Sequence, residues 1–274
     1  MTEGRKRNIP VILCTIAYRD RLLDYVLEVA ADLGFAGVEI WGREPHISEQ
    51  FDENRVEAVR RMLDQRGLAV PVLGSYLRFG VTNHRTEGHI ELEDTLHTAR
   101  CLGTPIVRVW ASDVPSAEAT EAVWQATVNE IREACVQAGK LGITFAAEMH
   151  AGTLADTALQ AKRLAEEVSR DNFRLNYQVA DNPEPYTPLE RLQIVLPYVV
   201  HMHTQNFAPG HSNSSASRAA LAAGEIDYAP LIKRLKAARY RGCVAVEFAW
   251  GEGEAKRDSL AADLAYLRTL IDED

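Results

Sequence analysis

The chain is short of every feature that would staple it, anchor it or charge it for a polyanion. Its four cysteines, Cys14, Cys101, Cys135 and Cys243, form no CxxC pair. They read as free thiols of a reducing cytosol rather than as a disulfide framework. No long apolar run follows the basic start Met1-Thr2-Glu3-Gly4-Arg5-Lys6-Arg7: only residues 9–13 lean apolar. That is too short for a signal-peptide core or a membrane span, so a cytoplasmic protein with no membrane partner is expected. Positive charge is also in deficit, 30 Lys and Arg against 39 Asp and Glu, a net of −9. A nucleic-acid partner needs a basic face and is not expected. Neither a G-x-G-x-x-G nor a P-loop string occurs, so no phosphate-cradling loop is encoded in those forms.

Apolar residues, by contrast, are plentiful at 46%, enough for a sizeable core. The length, 274 residues, is close to the roughly 250 of a (β/α)8 TIM barrel. A doubly wound α/β sheet is the rival. Strand-like runs lie at 9–15, 37–41, 68–74, 106–110, 143–148, 173–178, 198–203 and 243–248. Helical patterns fill the gaps. In 117–141, Ala122, Val123, Ala126, Ile131, Ala134, Cys135 and Ala138 form one broad stripe. Gly34, Gly67, Gly103, Gly142 and Gly242 precede strands where helices should end. Eight strand–helix units of about 33 residues each suit βαβ spacing. The expectation is one TIM-barrel domain over 1–274. Its one loose stretch, 205–224, is polar and lid-like.

The strand ends carry the chemistry. In 142–150, Thr144, Ala146, Glu148 and His150 share one face, and Ile143, Phe145, Ala147 and Met149 share the other. In 243–249, Cys243, Ala245 and Glu247 alternate with Val244, Val246 and Phe248. Small inner faces ending in an acid suit barrel strands with the bulky face under helices. His201-Met202-His203 closes a third run. Acids and imidazoles buried together at one rim would be expensive unpaired, and their convergence suggests a metal. Glu39 and Trp41 share the inward face of the second strand. Arg108 points inward on the fourth with Ile106 and Trp110, and it needs an anion such as Glu148 or Glu39.

Several strings together resemble the sugar-phosphate isomerase/epimerase group of xylose-isomerase-like TIM barrels. They are Leu33-Gly34-Phe35-Ala36-Gly37-Val38-Glu39-Ile40, Glu148 with His150, His201-Met202-His203, and Gly224-Glu225-Ile226-Asp227-Tyr228 running on to Tyr240-Arg241-Gly242-Cys243-Val244-Ala245-Val246-Glu247. The last stretch is the most specific. The resemblance implies a shell of Glu, Asp, His and Glu from strands five to eight. Carried over, it makes Glu148, His203 and Glu247 ligands, with Gln178 where an aspartate is usual. Asp181, three residues on, is the alternative fourth ligand or a substrate contact. A glutamine carbonyl can ligate a hard ion while removing a negative charge, which weakens binding and strengthens the Lewis acid.

The resemblance therefore implies one divalent ion (Mn, Mg, Co or Zn) and catalytic carboxylates Glu148 and Glu247. Glu39, Trp41, Arg108, His150, Asp181 and His201 would surround substrate or ligands. The leading expectation is an isomerase or epimerase that abstracts a proton from a keto-sugar through an enediolate. The alternative is a lyase or dehydratase acting on a keto-sugar, keto-glycoside or cyclic hydroxy acid. A trinuclear zinc nuclease and a metal-dead binding barrel are weaker readings. The carbohydrate partner is expected to be unphosphorylated, because Trp250-Gly251-Glu252-Gly253-Glu254 is acidic where many barrels seat phosphate. A homo-oligomer is compatible with these readings. Arg218, in the polar loop, is a lesser substrate candidate.

Overall fold

A computed structural model describes residues 9–81, 90–179, 184–210 and 217–273. Eight parallel strands close into a barrel: β1 (Val11–Cys14), β2 (Gly37–Trp41), β3 (Ala69–Phe79), β4 (Ile106–Ala111), β5 (Thr144–Glu148), β6 (Phe173–Tyr177), β7 (Val199–Thr204) and β10 (Cys243–Val246). Each barrel strand pairs with the barrel strands before and after it, and β10 closes on β1. Helices α1 (Leu23–Leu33), α2 (Glu53–Arg66), α3 (Leu92–Leu102), α4 (Glu121–Lys140), α5 (Ala158–Val168), α6 (Pro188–Val195), α7 (Ala229–Ala237) and α8 (Glu254–Asp272) alternate with them. This is the (β/α)8 barrel expected from the alternation. No helix among the described residues is long and apolar enough to cross a membrane.

Local chemistry sets the helix ends. Asp52, Thr120 and Thr157 each accept a hydrogen bond from a first-turn backbone N–H, and Thr187 with Glu190 forms a reciprocal capping box. Gly34, Gly67 and Gly103 terminate α1, α2 and α3 in the left-handed conformation. Gly242 does not cap a helix. The left-handed residue after α7 is Arg239, and a Cβ on Gly242 would lie 2.0 Å from the Val200 carbonyl oxygen. It is a glycine because β10 enters hard against β7.

Two apolar shells result from strand alternation. The outer shell, between strands and helices, holds Phe145, Ala147, Met149, Val244 and Val246. A small inner cluster, Ile12, Cys14, Val72, Cys243 and Ala245, plugs the barrel axis. The faces fall as the alternation predicts, so the polar members of the inner faces share the barrel interior above this plug. Two departures bear on the site. β3 runs past Gly74 to Phe79 through a register shift between Gly74 and Arg78, which carries Tyr76 and Arg78 into the mouth. The stretch 205–224 contains a short antiparallel hairpin, β8 (Asn206–Phe207) with β9 (Arg218–Ala219). The Asn206 side chain fastens the hairpin base. Its Nδ2 donates to the carbonyls of Leu221 and Ile226, and its Oδ1 accepts from the Ile226 N–H.

Candidate metal centre

His203 lies at the centre of the polar cluster. It projects from β7, is 1% exposed, and meets a carboxylate on several sides. Its Nε2 lies 2.7 Å from Glu39 Oε2. Its Nδ1 lies 3.4 Å from Glu148 Oε1, 3.5 Å from Glu247 Oε1 and 3.3 Å from Gln178 Oε1. Ligand atoms of Glu148, His203 and Glu247 all lie within 4.8 Å of one another. β5, β7 and the residue after β10 deliver these side chains to one point at the C-terminal ends of the strands, where a TIM barrel keeps its chemistry.

Hydrogen-bond logic assigns the face that each ring nitrogen presents. Glu39 Oε2 also lies 2.7 Å from Nε2 of His201. An ionised carboxylate only accepts, so both imidazoles donate Nε2–H to it. Nδ1 of His203 is then the nitrogen facing Glu148, Glu247 and Gln178. This carboxylate–imidazole pairing is the arrangement that fixes a metal-ligating histidine. His201 points its Nδ1 at Cys243 Sγ, 3.2 Å away, and accepts from the thiol. Burial holds the His201 imidazole below its usual range and pushes the Cys243 thiol up, so both are neutral. A second cluster, Cys14, Glu39 and His203, shares the same histidine. Its Glu39 Oε2 is already occupied by two N–H groups, which makes it a brace for the first cluster.

The electrostatics are those of a cation site. Burial pushes Glu39 upward, but the charge on His203 and the N–H groups that His201 and His203 donate outweigh it and hold the acid well below the carboxylate range. Burial also works against Glu148, yet Arg108, then His203, bring it down to about 2. Arg108 Nη1 lies 2.7 Å from Glu148 Oε2, and its Nη2 donates to the Gly74 carbonyl at 3.2 Å. Glu247 has no such clamp. Burial, augmented by Glu148 and Glu39, raises it to about 7 against the pull of His203. His203 is opposed by burial but held well above its usual value by Glu39, Glu247 and Glu148. The imidazolium thus occupies, electrostatically, the role of a cation among three acids.

The residues present fit a divalent ion. Two carboxylate oxygens, an imidazole nitrogen and an amide oxygen are a hard-to-borderline donor set. Glu247 Oε2 is buried with no hydrogen-bond partner among the described residues, an arrangement that is expensive unless something positive fills it. Glu148, His203 and Glu247 are placed to hold a single divalent ion, with Gln178 Oε1 beside His203.

Of the other residues singled out from the sequence, Glu39, Arg108 and His201 support this cluster from beneath and beside it. Trp41 and His150 lie on the rim. His150 Nδ1 donates to the Ala151 carbonyl at 2.8 Å, Nε2 has no hydrogen-bond partner among the described residues, and the ring lies 4.6 Å from that of Trp110. Asp181, the alternative ligand, lies outside the described residues. Arg218 sits over the Phe248 ring, 3.6 Å from its centroid. Three contributors were not anticipated. Asn176, fully buried, places Nδ2 3.3 Å from both ring nitrogens of His203. It is two residues before Gln178 on β6, so period-two alternation could have found it. Gly74 admits Glu39: a Cβ there would lie 2.6 Å from Glu39 Oε1. Tyr76 accepts from Trp41 Nε1 at 2.9 Å and stacks on Trp110. No sequence signal marked it, because β3 appeared to end at Gly74.

Comparison with known proteins agrees with the barrel fold. The chain is 25% identical over 199 residues to a 3-dehydroshikimate dehydratase of Bacillus anthracis, covering 72% of this chain and 71% of the relative. A crystal structure of the probable 3-DHS dehydratase of petrobactin synthesis from Bacillus anthracis superposes with a TM-score of 0.73. It is 21% identical and covers 97% of this chain and 100% of that one. D-psicose 3-epimerase superposes with a TM-score of 0.77 at 16% identity, covering 97% and 100%. The model of the xylose-isomerase-like TIM barrel family matches residues 27–270, nearly the whole barrel that carries the cluster, and the chain belongs to that family.

Proposed function

We propose that the protein is a divalent-metal-dependent lyase that dehydrates a cyclic hydroxy-ketone. The single observation that carries this reading is the unequal pair of carboxylates at one metal-binding cluster: Glu148 is pinned by Arg108, and Glu247 has no such clamp. The similarity to a 3-dehydroshikimate dehydratase supports dehydration ahead of isomerisation, the leading expectation from the sequence.

Glu148, His203, Glu247 and Gln178 would hold the ion, which when bound polarises a substrate carbonyl and stabilises negative charge on its oxygen. The remaining work falls to this chain's own groups. Arg108 keeps Glu148 ionised at any pH the cell meets, so Glu148 serves as a fixed anion. Glu247 has no arginine clamp, and its Oε2 has no hydrogen-bond partner among the described residues, so one of its oxygens would face the ion while the other takes a proton. His150, on the rim with Nε2 unpartnered among the described residues, is the second group able to take a proton. One of the pair removes the proton from the carbon beside the carbonyl. The carbon–oxygen bond to the neighbouring hydroxyl then breaks, and that hydroxyl leaves as water with a proton returned by the other group. Trp41 and Trp110 wall the mouth, and the 205–224 segment is proposed to cover it and exclude water.

The test is incubation of the metal-loaded protein with 3-dehydroshikimate and with a ketose panel in deuterated water. Dehydration is expected for the cyclic acid, seen as a conjugated, ultraviolet-absorbing product. Deuterium incorporation into a ketose with no loss of water would instead establish the isomerase or epimerase reading.

A further inference from the structure

Three arginines and two aromatic rings interleave along the β2–β4 side of the barrel mouth. Arg43 lies over Tyr76, 3.9 Å from its centroid. Arg108 lies 4.8 Å from Tyr76 and 5.6 Å from Trp110. Arg78 lies over Trp110 at 4.6 Å. Tyr76 and Trp110 stack with 18° between their planes. Such contacts set each guanidinium close to a ring centroid, where the ring's negative face favours its charge.

The charges in this stack do not balance. Arg43 pairs with Glu49 at 3.0 Å, and Arg108 pairs with Glu148 at 2.7 Å. Arg78 has no ion-pair partner among the described residues. Among the described residues its hydrogen bond runs from Nη1 to the Ser112 carbonyl at 2.6 Å. Asp113 acts on it through space without forming a pair, and burial is the main influence on it. Next to it, Trp110 Nε1–H is buried with no acceptor among the described residues. One half-buried positive charge and one unpaired N–H donor therefore lie side by side. They stand across the barrel from Glu247, since four strand-to-strand steps separate β10 from β4.

The geometry points to an anion subsite here, built from Arg78 and Trp110, that receives a carboxylate carried by the substrate. This rests on the metal-centred reading above and adds the substrate class to it. A carboxylate fits better than a phosphate. The planar guanidinium fork matches a carboxylate edge, and one unbalanced positive charge is met by a monoanion, whereas a dianion would leave excess negative charge near Glu148. The carboxylate would hold the far end of a ring whose oxygens face His203 and Glu247, and so fix which carbon meets the proton carrier.

The experiment uses the full-length, metal-loaded protein and four probes: 3,4-dihydroxybenzoate, catechol, benzoate and inorganic phosphate. Binding is followed by tryptophan fluorescence and calorimetry, with Arg78→Gln and Arg78→Lys checked for unchanged melting temperature and metal content. The wild type should bind 3,4-dihydroxybenzoate about tenfold or more tighter than catechol. Arg78→Gln should erase that preference and weaken benzoate by a similar factor. Arg78→Lys should retain part of it. Benzoate offers the metal no diol, so its loss in Arg78→Gln reports the subsite even if the metal-centred reading fails, a failure that absent catechol binding would reveal separately. Equal benzoate affinity in wild type and Arg78→Gln, or phosphate binding tighter than benzoate, overturns the proposal.

Discussion

Binding of the metal should expel protons, and the structure sets how many. In the metal-free protein His203 is held protonated by Glu39, Glu247 and Glu148, and Glu247 itself titrates at about 7. An ion taken up by Nδ1 and both carboxylates needs the deprotonated forms of both groups. At pH 6 Glu247 is about nine-tenths protonated and at pH 7 about half. Adding one proton from His203 gives roughly 1.9 protons released per ion at pH 6 and roughly 1.5 at pH 7. Integrated over that unit of pH, affinity should fall roughly 50-fold on going from pH 7 to 6, or about 2.4 kcal/mol. The same ligands with unperturbed acidities would give only about threefold.

Calorimetry in two buffers of different ionisation enthalpy counts the protons directly. About 0.8 proton or fewer at pH 6, the count for unperturbed acidities, or an affinity change near threefold, would refute the reasoning. Glu247→Gln should reduce the pH effect to roughly tenfold, the share of His203. Stability of the metal-free protein follows with a definite sign. Both groups have folded values raised above their unfolded ones. Their contributions are therefore present below the unfolded values, 4.5 for Glu247 and 6.5 for His203, and are lost as pH rises through the folded values. The metal-free chain should soften above neutrality, and added metal should reverse this.

Four further outcomes are expected. Arg108→Met strands the Glu148 carboxylate in the barrel and should destabilise the metal-free protein by about 3–5 kcal/mol in urea melts. A loss under 1 kcal/mol would mean that the ion pair is dispensable. Gly74→Ala should push Glu39 off the two imidazoles and weaken metal binding about 10–100-fold, read by chelator competition, with the fold retained. Gln178→Asp should tighten the ion about tenfold and slow turnover, and an unchanged affinity would remove Gln178 from the shell. Deletion within 209–217 should raise KM or lower kcat while leaving metal content and melting temperature nearly unchanged, because the Asn206 fastening and the Asp263 carboxylate, which accepts the Leu221 N–H at 2.8 Å, lie outside the cut. Full activity in that variant would make the segment a surface excursion.

The barrel was legible because its inner and outer faces are written in period two. Ala146 and Glu148 against Phe145 and Ala147 state both the strand and the side on which the acid falls. The Arg108–Glu148 pair was legible for the same reason: a buried guanidinium between two valines must find an anion. Contacts made by approach rather than alternation were not legible. Nothing in the string marks Gly74 as the residue that admits Glu39, or Gly242 as the one that admits the Val200 carbonyl, since a close backbone contact leaves the same letter as a helix cap. Tyr76 and Arg78 were hidden by the shift in β3, where a glycine in a strand-like run reads as the strand's end.

The charge arithmetic of the centre explains why glutamine can stand at 178. With the metal absent, Glu39 and Glu148 contribute two negative charges, Arg108 and the His203 imidazolium contribute two positive ones, and a protonated Glu247 adds none. With a divalent ion bound, Glu247 ionises and His203 becomes neutral. Three negative charges then face Arg108 and the ion, which together carry three positive ones. The interior is neutral in both states, as a site this deeply buried demands. An ionised aspartate at 178 would break that balance in both. It would leave the metal-bound centre with a surplus negative charge and force a further proton into the metal-free one. Its extra affinity for the ion would therefore come with an extra proton released below neutrality, a third proton per ion that Gln178→Asp should show and the natural chain should not.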